Sequence, residues 1–268
     1  MKLSIRSIEN KEVGSVQTPI QFDEPLRTDI IKRAFDAIMA NSRQPYGVDP
    51  RAGKKVSAQL SKRRRDFKGC YGKGISRVPR KTMSRNGTQF SWVGAFAPGT
   101  VGGRKAHPPL AIKIWTQKVN DKERRKAIRS ALGATLMKEV VASRGHKAPE
   151  QYPFAIDNTV EEFTKAKQLF DMLEKLGFVE ELERAGRKEI RAGRGKMRGR
   201  RYKRHVGPLI VVSGECKLLK SGNNVPGVDI VSVNALSADV LAPGAAPGRL
   251  TIFTQSAIQK LAKENLYL

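Results

Sequence analysis

The sequence is poor in acidic residues, and this shortage limits what the protein can bind. Asp and Glu number 25 against 51 Lys and Arg, which gives a formal net charge of +26 and a pI ≈ 10.4. A soluble enzyme acting on small molecules rarely carries such an excess, because like charges destabilise the compact state. We therefore expect a polyanionic partner. Nucleic acid is the first candidate, since neutralised phosphates release condensed counterions.

Cysteines and long apolar runs are also scarce. Only Cys70 and Cys216 are present, which excludes a cysteine zinc site or a disulfide scaffold and fits a reducing cytoplasm. No apolar run is long enough to span a bilayer, and the first residues become polar at once, unlike a signal peptide. No basic helix with an apolar face suited to a membrane surface is evident. We expect a cytoplasmic protein without membrane contact.

Residue patterns that support catalysis are absent. The three histidines are His107, His146 and His205. His146 and His205 lie in basic surroundings without a neighbouring carboxylate, so we interpret all three as solvated or phosphate-contacting. The glycines at 193–199 miss the dinucleotide-binding spacing, and the stretch 72–74 lacks the second half of a phosphate-binding loop. We expect no enzyme activity, no cofactor and no metal site.

Hydrophobic periodicity predicts ordered structure in the first 44 residues. Residues 1–20 alternate weakly and indicate a hairpin. Apolar residues then recur at helical spacing, which predicts a helix with Thr28 or Asp29 as its N-cap and an end near Ser42.

Strands and helices alternate again after residue 110. Asn120 and Glu123 have the spacing of a reciprocal cap for a helix that stops at Gly145. Further strands are predicted at 154–156, 208–212, 228–233 and 250–253, and further helices at 163–176, 237–241 and 258–266. This alternation implies an α/β domain with a mainly parallel sheet and helices on its faces, formed by 1–44 and 110–268.

Residues 45–109 are basic and show no helical or strand period of useful length, because glycines and prolines interrupt them. Their only acidic residues are Asp49 and Asp66. A loop this long is unusual in a compact domain, so we interpret it as an extended arm, inserted near the N-terminal third, that a partner orders. Out and back, it would reach at most ~100 Å. The alternative is a disordered basic tail, as in chromatin proteins.

The residues of this arm suit RNA. Arg63, Arg64 and Arg65 offer planar forks for phosphate oxygens. Aromatic residues lie among these cations, namely Tyr71, Phe90, Trp92 and Phe96. Their rings could stack on unpaired bases, which argues against the disordered alternative. The arm residues predicted to bind RNA are Arg51, Lys54, Lys55, Lys62, Arg63, Arg64, Arg65, Lys68, Arg80, Lys81, Arg85, Trp92, Arg104 and Lys105.

A second basic run covers residues 184–204, with only Glu189 opposing it. Its early part is interpreted as a helix with one basic face, which the glycines at 193 and 195 then break. A solvated charged face is the ordinary alternative, but the single-sign density favours RNA contact. The RNA-binding residues predicted here are Arg194, Lys196, Arg198, Arg200, Arg201, Lys203 and Arg204.

Several long strings of the sequence are distinctive. They are Ser42-Arg43-Gln44-Pro45-Tyr46-Gly47, Gly53-Lys54-Lys55-Val56-Ser57, Gly72-Lys73-Gly74-Ile75-Ser76-Arg77-Val78-Pro79-Arg80, Gly102-Gly103-Arg104-Lys105-Ala106-His107-Pro108-Pro109 and Asn120-Asp121-Lys122-Glu123-Arg124-Arg125-Lys126-Ala127-Ile128-Arg129-Ser130-Ala131. These strings resemble the large-subunit ribosomal protein four family in its archaeal and eukaryotic branch, and the resemblance covers essentially the whole chain.

This resemblance implies a structural component of the large subunit that staples rRNA during assembly. It implies a three-layer α/β globular domain on the outside of the subunit and an arm threaded into rRNA. The arm tip, at 69–80, would line the peptide exit tunnel near its constriction and face the loop of ribosomal protein twenty-two. The nascent peptide and neighbouring ribosomal proteins are further implied partners. The tunnel-tip residues are Tyr71, Gly72, Lys73, Gly74, Ile75, Ser76 and Arg77, with Lys73 and Arg77 nearest the tunnel.

Two alternatives share some of these features. An RNA-modifying enzyme such as a methyltransferase would also combine an α/β sheet with a basic surface. It should bind an adenosyl cofactor, for which the sequence has no glycine-rich turn between strand and helix. A DNA-compacting protein would share the charge but should bind duplex DNA as well as rRNA.

Overall fold

A computed structural model describes all residues from 1 to 268. The strands are β1 (Lys2–Arg6), β2 (Glu12–Gln17), β3 (Arg80–Asn86), β4 (Gln89–Gly94), β5 (Ala155–Ile156), β6 (Lys188–Ile190), β7 (Tyr202–Arg204), β8 (Leu209–Val212), β9 (Asp229–Ser232) and β10 (Thr251–Thr254). The α-helices are α1 (Thr28–Asn41), α2 (Asp121–Leu136), α3 (Lys138–Ser143), α4 (Ala166–Lys175), α5 (Val179–Gly186), α6 (Lys217–Ser221), α7 (Ala238–Leu241) and α8 (Gln255–Lys263).

The chain divides into two compact units. One consists of Met1–Asn41 and Thr116–Leu268 and is called the sheet unit below. The other is Ser42–Trp115 and is called the inserted unit.

A six-stranded sheet organises the sheet unit, in the strand order β2-β1-β5-β10-β8-β9. Only β1 and β2 pair antiparallel; all other neighbours in this sheet are parallel. Parallel neighbours need crossover connections, which the intervening helices supply. The mixed α/β fold with a mainly parallel sheet is therefore confirmed, as is the hairpin at the N-terminus.

Helices cover both faces of this sheet. Along β8, Leu209 and Val211 enter one hydrophobic cluster, while Ile210 and Val212 enter the other. Such a continuous apolar run is typical of a strand buried on both faces. The first cluster contains residues of α2 and α8, and the second contains residues of α4 and α5. The sheet unit thus has three layers, with two cores.

The helix predicted from residue 120 to Gly145 is interrupted. Met137 has extended backbone angles, and α3 starts anew after it. The reciprocal cap is also wrong, because the Asn120 side chain makes no capping hydrogen bond. The Glu123 carboxylate lies 3.4 Å from Arg33 instead. Sequence spacing gave the start of the helix correctly but could not show this competing partner.

Candidate nucleic-acid interface

Two stretches near the ends of the inserted unit lie against each other. A Cβ atom on Gly47 would lie 2.4 Å from the backbone nitrogen of Ala111. A Cβ atom on Gly53, where φ is +72°, would lie 2.5 Å from the backbone nitrogen of Arg104. At Gly53 only glycine permits both this backbone conformation and so close an approach, and at Gly47 the close approach alone favours glycine. The outgoing and returning chains are therefore in direct contact at these two levels.

A hairpin, β3–β4, lies within the inserted unit. The prediction that no strand forms between 45 and 109 was therefore wrong. The two strands pair antiparallel around a turn that begins at Gly87, where φ is +57°. Asn86-Gly87 followed by the alternating residues of β4 is a local hairpin signal. The many neighbouring glycines and prolines concealed it in the sequence.

Aromatic rings and cations gather on this hairpin. The ring centroids of Phe90 and Trp92 are 5.7 Å apart with an interplanar angle of 28°, and Phe67 meets Phe90 edge-on at 5.3 Å. The Arg85 guanidinium lies 5.6 Å from the Phe67 ring, and Lys68 Nζ lies 6.0 Å from the Phe90 ring. Phe67 remains 58% exposed. The cluster thus places a free aromatic surface beside positive charge, which suits stacking on a base and binding its phosphate.

Arg80, one of the predicted RNA-binding residues, is engaged within the unit. Its guanidinium lies 5.4 Å from the Trp92 ring. It donates to Ser76 Oγ at 3.0 Å and to the Val78 carbonyl at 3.4 Å, and it contacts Cys70 Sγ at 3.1 Å. Arg80 is therefore half-buried, and its contacts hold the segment from Cys70 to Val78 against the hairpin.

The predicted tunnel-tip residues form one exposed segment. Gly72 and Gly74 have φ of +73° and +67°, and no atom lies within 4 Å of where their Cβ atoms would be. Tyr71 and Arg77 pair across the segment, with the guanidinium 4.4 Å from the ring centroid and 3.2 Å from the hydroxyl oxygen. Every residue from 71 to 77 is exposed.

The inserted unit holds almost no negative charge that is free to pair with its cations. Asp49 lies 2.5 Å from Lys55 Nζ, and the hydrogen bond from that lysine lowers the pKa of Asp49. Asp66 accepts from Ser61 Oγ at 2.6 Å and from the Phe67 backbone nitrogen at 2.7 Å. Most of the cations predicted to bind RNA in this unit are exposed and have no ion pair. They are Arg51, Lys54, Lys62, Arg63, Arg64, Arg65, Arg85 and Lys105.

A further cation–aromatic group, missed in the sequence, lies near the end of the inserted unit. Trp115 stacks with Tyr46 at 5.8 Å. The Arg43 guanidinium lies 3.9 Å and Lys113 Nζ 4.3 Å from the Trp115 ring. Arg43 and Trp115 are far apart in sequence, so no local pattern indicated this contact.

The second basic run forms the β6–β7 hairpin in the sheet unit. The prediction of a helix with one basic face was wrong beyond α5, because that helix ends at Gly186 and an extended strand follows. Every residue of both strands is exposed. Lys188 Nζ lies 3.8 Å from the Tyr202 ring, and Lys203 pairs with Glu189 at 2.9 Å. All seven residues predicted to bind RNA in this run are exposed.

A buried ionic cluster lies at the base of this hairpin. His146 Nδ1 lies 2.7 Å from Glu181 Oε1, and Arg184 reaches both carboxylate oxygens, at 2.6 and 2.8 Å. Lys147 donates its backbone N–H to Glu181 at 2.9 Å. The interpretation of His146 as solvated or phosphate-contacting was therefore wrong. Its carboxylate partner lies 35 positions along the chain, where neighbouring residues give no sign of it.

Hydrogen bonding fixes the charge states in this cluster. Burial raises the pKa of Glu181, but hydrogen bonds from Arg184 and His146 outweigh it and lower the pKa to about 2. Burial lowers the pKa of His146, against the opposing effect of Glu181. We assign a neutral imidazole that donates Nδ1–H to the ionised carboxylate.

The same cluster holds the end of the hairpin. Arg184 Nη2 also donates to the Val206 carbonyl at 2.6 Å. A Cβ atom on Gly227 would lie 2.6 Å from the Ala185 Cβ, so α5 packs directly against the backbone at Gly227 with no side chain between them. A two-stranded hairpin would be marginal alone, and the hydrogen bond from Arg184 ties the chain just after β7 to α5.

The carboxyl ends of β8 and β10, where α/β sheets commonly bind ligands, are occupied by a side chain of the protein. Glu161 accepts from Ser213 Oγ at 2.8 Å, Thr254 Oγ1 at 2.7 Å and Ser256 Oγ at 2.6 Å. Burial raises the pKa of Glu161, but the hydrogen bonds that it accepts lower the pKa by more, so the net change is a decrease. Asp157, by contrast, caps the helical turn after β5 by accepting from Asn158 N at 2.7 Å.

The chain has neither a membrane-spanning helix nor a cluster of metal-binding side chains. No helix is long and apolar enough to cross a membrane. No group of three or more His, Cys, Asp or Glu side chains could hold a metal ion. Cys70 and Cys216 are both free thiols.

Comparison with known proteins identifies the family. The model of the ribosomal protein L4/L1 family matches residues 16–264. The large ribosomal subunit protein uL4 of Nanoarchaeum equitans is 46% identical over 268 residues, which are 100% of both chains. The uL4 protein of Methanosphaera stadtmanae is 41% identical over 264 residues, 97% of this chain and 96% of the relative. That of Methanococcoides burtonii is 40% identical over 266 residues, 99% and 98% of the two chains.

These similarities extend over both units, so they concern the whole chain and not one motif. The RNA-modifying and DNA-compacting alternatives are thereby set aside. This chain belongs to the ribosomal protein L4/L1 family, as a structural large-subunit protein of the archaeal type and not an enzyme.

Proposed function

We propose that the chain binds large-subunit rRNA through the inserted unit and the β6–β7 hairpin and staples rRNA segments together while the subunit assembles. In this proposal residues 1–44 and 110–268 act as the globular domain, and residues 45–109 act as an extended basic arm. The assembled ribosome lies in the cytoplasm. Neighbouring large-subunit proteins are the other lasting partners.

One observation carries the proposal: most exposed cations of the inserted unit have no ion pair within the chain. Its two carboxylates, Asp49 and Asp66, are already hydrogen-bonded. Like charges at this density repel, so the unit is stabilised when phosphates approach it. The Phe67 ring, with Arg85 beside it, offers a place for an unpaired base.

Replacing Arg63, Arg64 and Arg65 together by Ala is expected to weaken binding to a large-subunit rRNA transcript and to reduce its salt dependence. Three lost phosphate contacts should lower the slope of log K against log salt by about 2–3. Filter binding from low to moderate salt measures this slope.

The matched control removes three exposed lysines of the sheet unit that lie outside the proposed interface, Lys32, Lys167 and Lys263. It makes the same change in net charge. An equal reduction of the slope in both triple variants would mean that general charge, and not this segment, drives binding.

We further propose that residues 69–80 form the arm tip, which lines the peptide exit tunnel and faces ribosomal protein twenty-two. The exposed loop around Gly72 and Gly74, with the cations Lys73 and Arg77, supports this proposal. Such a loop could meet the nascent peptide without losing internal contacts, because nothing packs against its glycines.

A photo-crosslinking residue in place of Lys73 is expected to label the nascent peptide in stalled, translating ribosomes. The same residue in place of Arg198, in the connection between β6 and β7, should label rRNA but not the nascent peptide. Mass spectrometry and gel analysis of the adducts distinguish the two. Adducts from position 73 that map only to the solvent side of the ribosome would contradict the tunnel assignment.

A further inference from the structure

An apolar groove with acidic edges lies between α4 and α5 of the sheet unit. Phe170 and Glu174 come from α4, Val179, Leu182 and Glu183 come from α5, and Pro226 completes the lining. In each helix an apolar residue is followed four positions later by a glutamate, so both residues lie on the same side. The groove has a volume of ≈ 280 Å³.

The floor and edges of the groove differ in character. Leu182 is 7% exposed and belongs to the hydrophobic core, whereas Phe170 and Val179 are 37% and 45% exposed. Its volume falls below the ~300–1,000 Å³ of ordinary small-molecule sites, so it suits one or two inserted side chains. Exposed apolar surface with a polar rim is typical of a protein contact.

The charge of the groove separates it from the RNA-binding surfaces. No lysine or arginine lines it, although the chain has 51 of them. The carboxylates of Glu174 and Glu183 are exposed, and neither has an ion pair within the chain. RNA would bring phosphates against these two carboxylates, which is unfavourable. A cationic protein segment would neutralise them.

We propose that this groove, here called the α4–α5 groove, binds a Lys/Arg-containing segment of a neighbouring large-subunit protein. An apolar side chain of that segment inserts between Phe170, Val179 and Leu182, while its cations pair with Glu174 and Glu183. The inference rests on membership of the large subunit and not on the proposed RNA contacts or tunnel tip. The chain thus uses its basic surfaces for RNA and this acidic one for protein.

The test uses assembled large subunits that contain the full chain with a benzophenone amino acid at position 170. Gradient sedimentation first verifies incorporation. Irradiation and mass spectrometry are then expected to find an adduct on a Lys/Arg-containing segment of another large-subunit protein. The same amino acid at position 179 should label the same segment and serves if position 170 impairs incorporation. At position 13, on the exposed β2 strand, it should not label that segment.

A charge reversal then tests the acidic edges. The double variant E174K/E183K is expected to reduce the adduct from position 170 at least about tenfold, as loss of two paired charges implies. The double variant E12K/E150K makes the same change in net charge elsewhere and should leave the adduct unchanged. Labelling of rRNA alone, or no adduct from either position in incorporated subunits, would overturn the proposal. An adduct that survives E174K/E183K would overturn it as well.

Discussion

Deletion of residues 53–105 is expected to leave the sheet unit folded but to weaken stable incorporation into the large subunit by at least about tenfold. No residue of the six-stranded sheet or of its hydrophobic clusters comes from this segment. The removed segment carries most of the unpaired cations of the inserted unit. Proteins with 6–10 phosphate contacts lose about 10³–10⁵-fold in affinity between 50 and 200 mM salt, so we expect a large effect.

The geometry allows this deletion without strain. Gly53 already lies against Arg104, and Val48 N donates to the Pro109 carbonyl at 3.1 Å. A short Gly-Ser linker can therefore join residues 52 and 106. Circular dichroism and thermal unfolding of the purified variant measure its folding. Quantitative blotting of gradient fractions after a high-salt wash measures retention, which should fall at least about tenfold.

A second variant separates charge from length. Here residues 53–105 are replaced by an uncharged Gly-Ser segment of equal length. It should behave like the deletion if the cations hold the chain in the subunit. Undiminished retention of the deletion variant would show that the inserted unit does not anchor the protein. Restored retention by the uncharged segment would show that reach, and not charge, matters.

Replacement of Glu181 by Ala is expected to cost about 3–5 kcal/mol in the free energy of unfolding, because it leaves buried polar partners unpaired. His146, Lys147 N and Arg184 would all lose their acceptor. Urea unfolding at neutral pH measures the loss. Glu180→Ala, on the same helix, is the matched control. Its ion pair with Lys147 spans 3.1 Å but is exposed, so we expect less than about 1 kcal/mol. Equal losses in the two variants would show that the buried cluster adds no more stability than the exposed ion pair.

The same cluster predicts the acid sensitivity of the fold. The pKa of Glu181 is about 2 in the folded chain, against a usual 4.5, so the unfolded state binds more protons as the pH falls. Glu181 therefore stabilises the fold by roughly 3 kcal/mol above its unfolded pKa. This stabilisation is lost as the pH falls from about 5 to about 2. The lowered pKa of His146 acts in the same direction, starting below its unfolded value of 6.5. Urea unfolding against pH should show a weaker acid dependence for Glu181→Gln than for the unaltered chain.

The alternation of apolar residues was enough to predict most of the sheet unit. Leu209–Val212 is apolar throughout, and each predicted strand after residue 110 appears in the sheet. The β3–β4 hairpin was predictable too, because Asn86-Gly87 and the alternation in β4 after it are local signals. The glycines, prolines and cations of the surrounding segment outnumber this short turn signal, so composition favours a loop there.

Other contacts could not be derived from local patterns. His146 and Glu181 are 35 positions apart, and Arg43 and Trp115 are further apart still. The α4–α5 groove likewise needs two helices side by side, although each helix shows its own apolar and acidic spacing. In the sequence these glutamates differ little from those of any solvated helix face.

The sequence by itself determined the sign of the partner's charge, the alternation of strands and helices, and the family strings, since all of these depend on composition or on near neighbours. Only the tertiary structure decided which charges are available. Arg184 is used by Glu181, and Arg249, 2% exposed, donates to the carbonyls of Gly207 and Val240. Arg63, by contrast, stays exposed. The reason is physical: an arginine has the same charge everywhere, but the partners that desolvate and neutralise it come from distant parts of the chain.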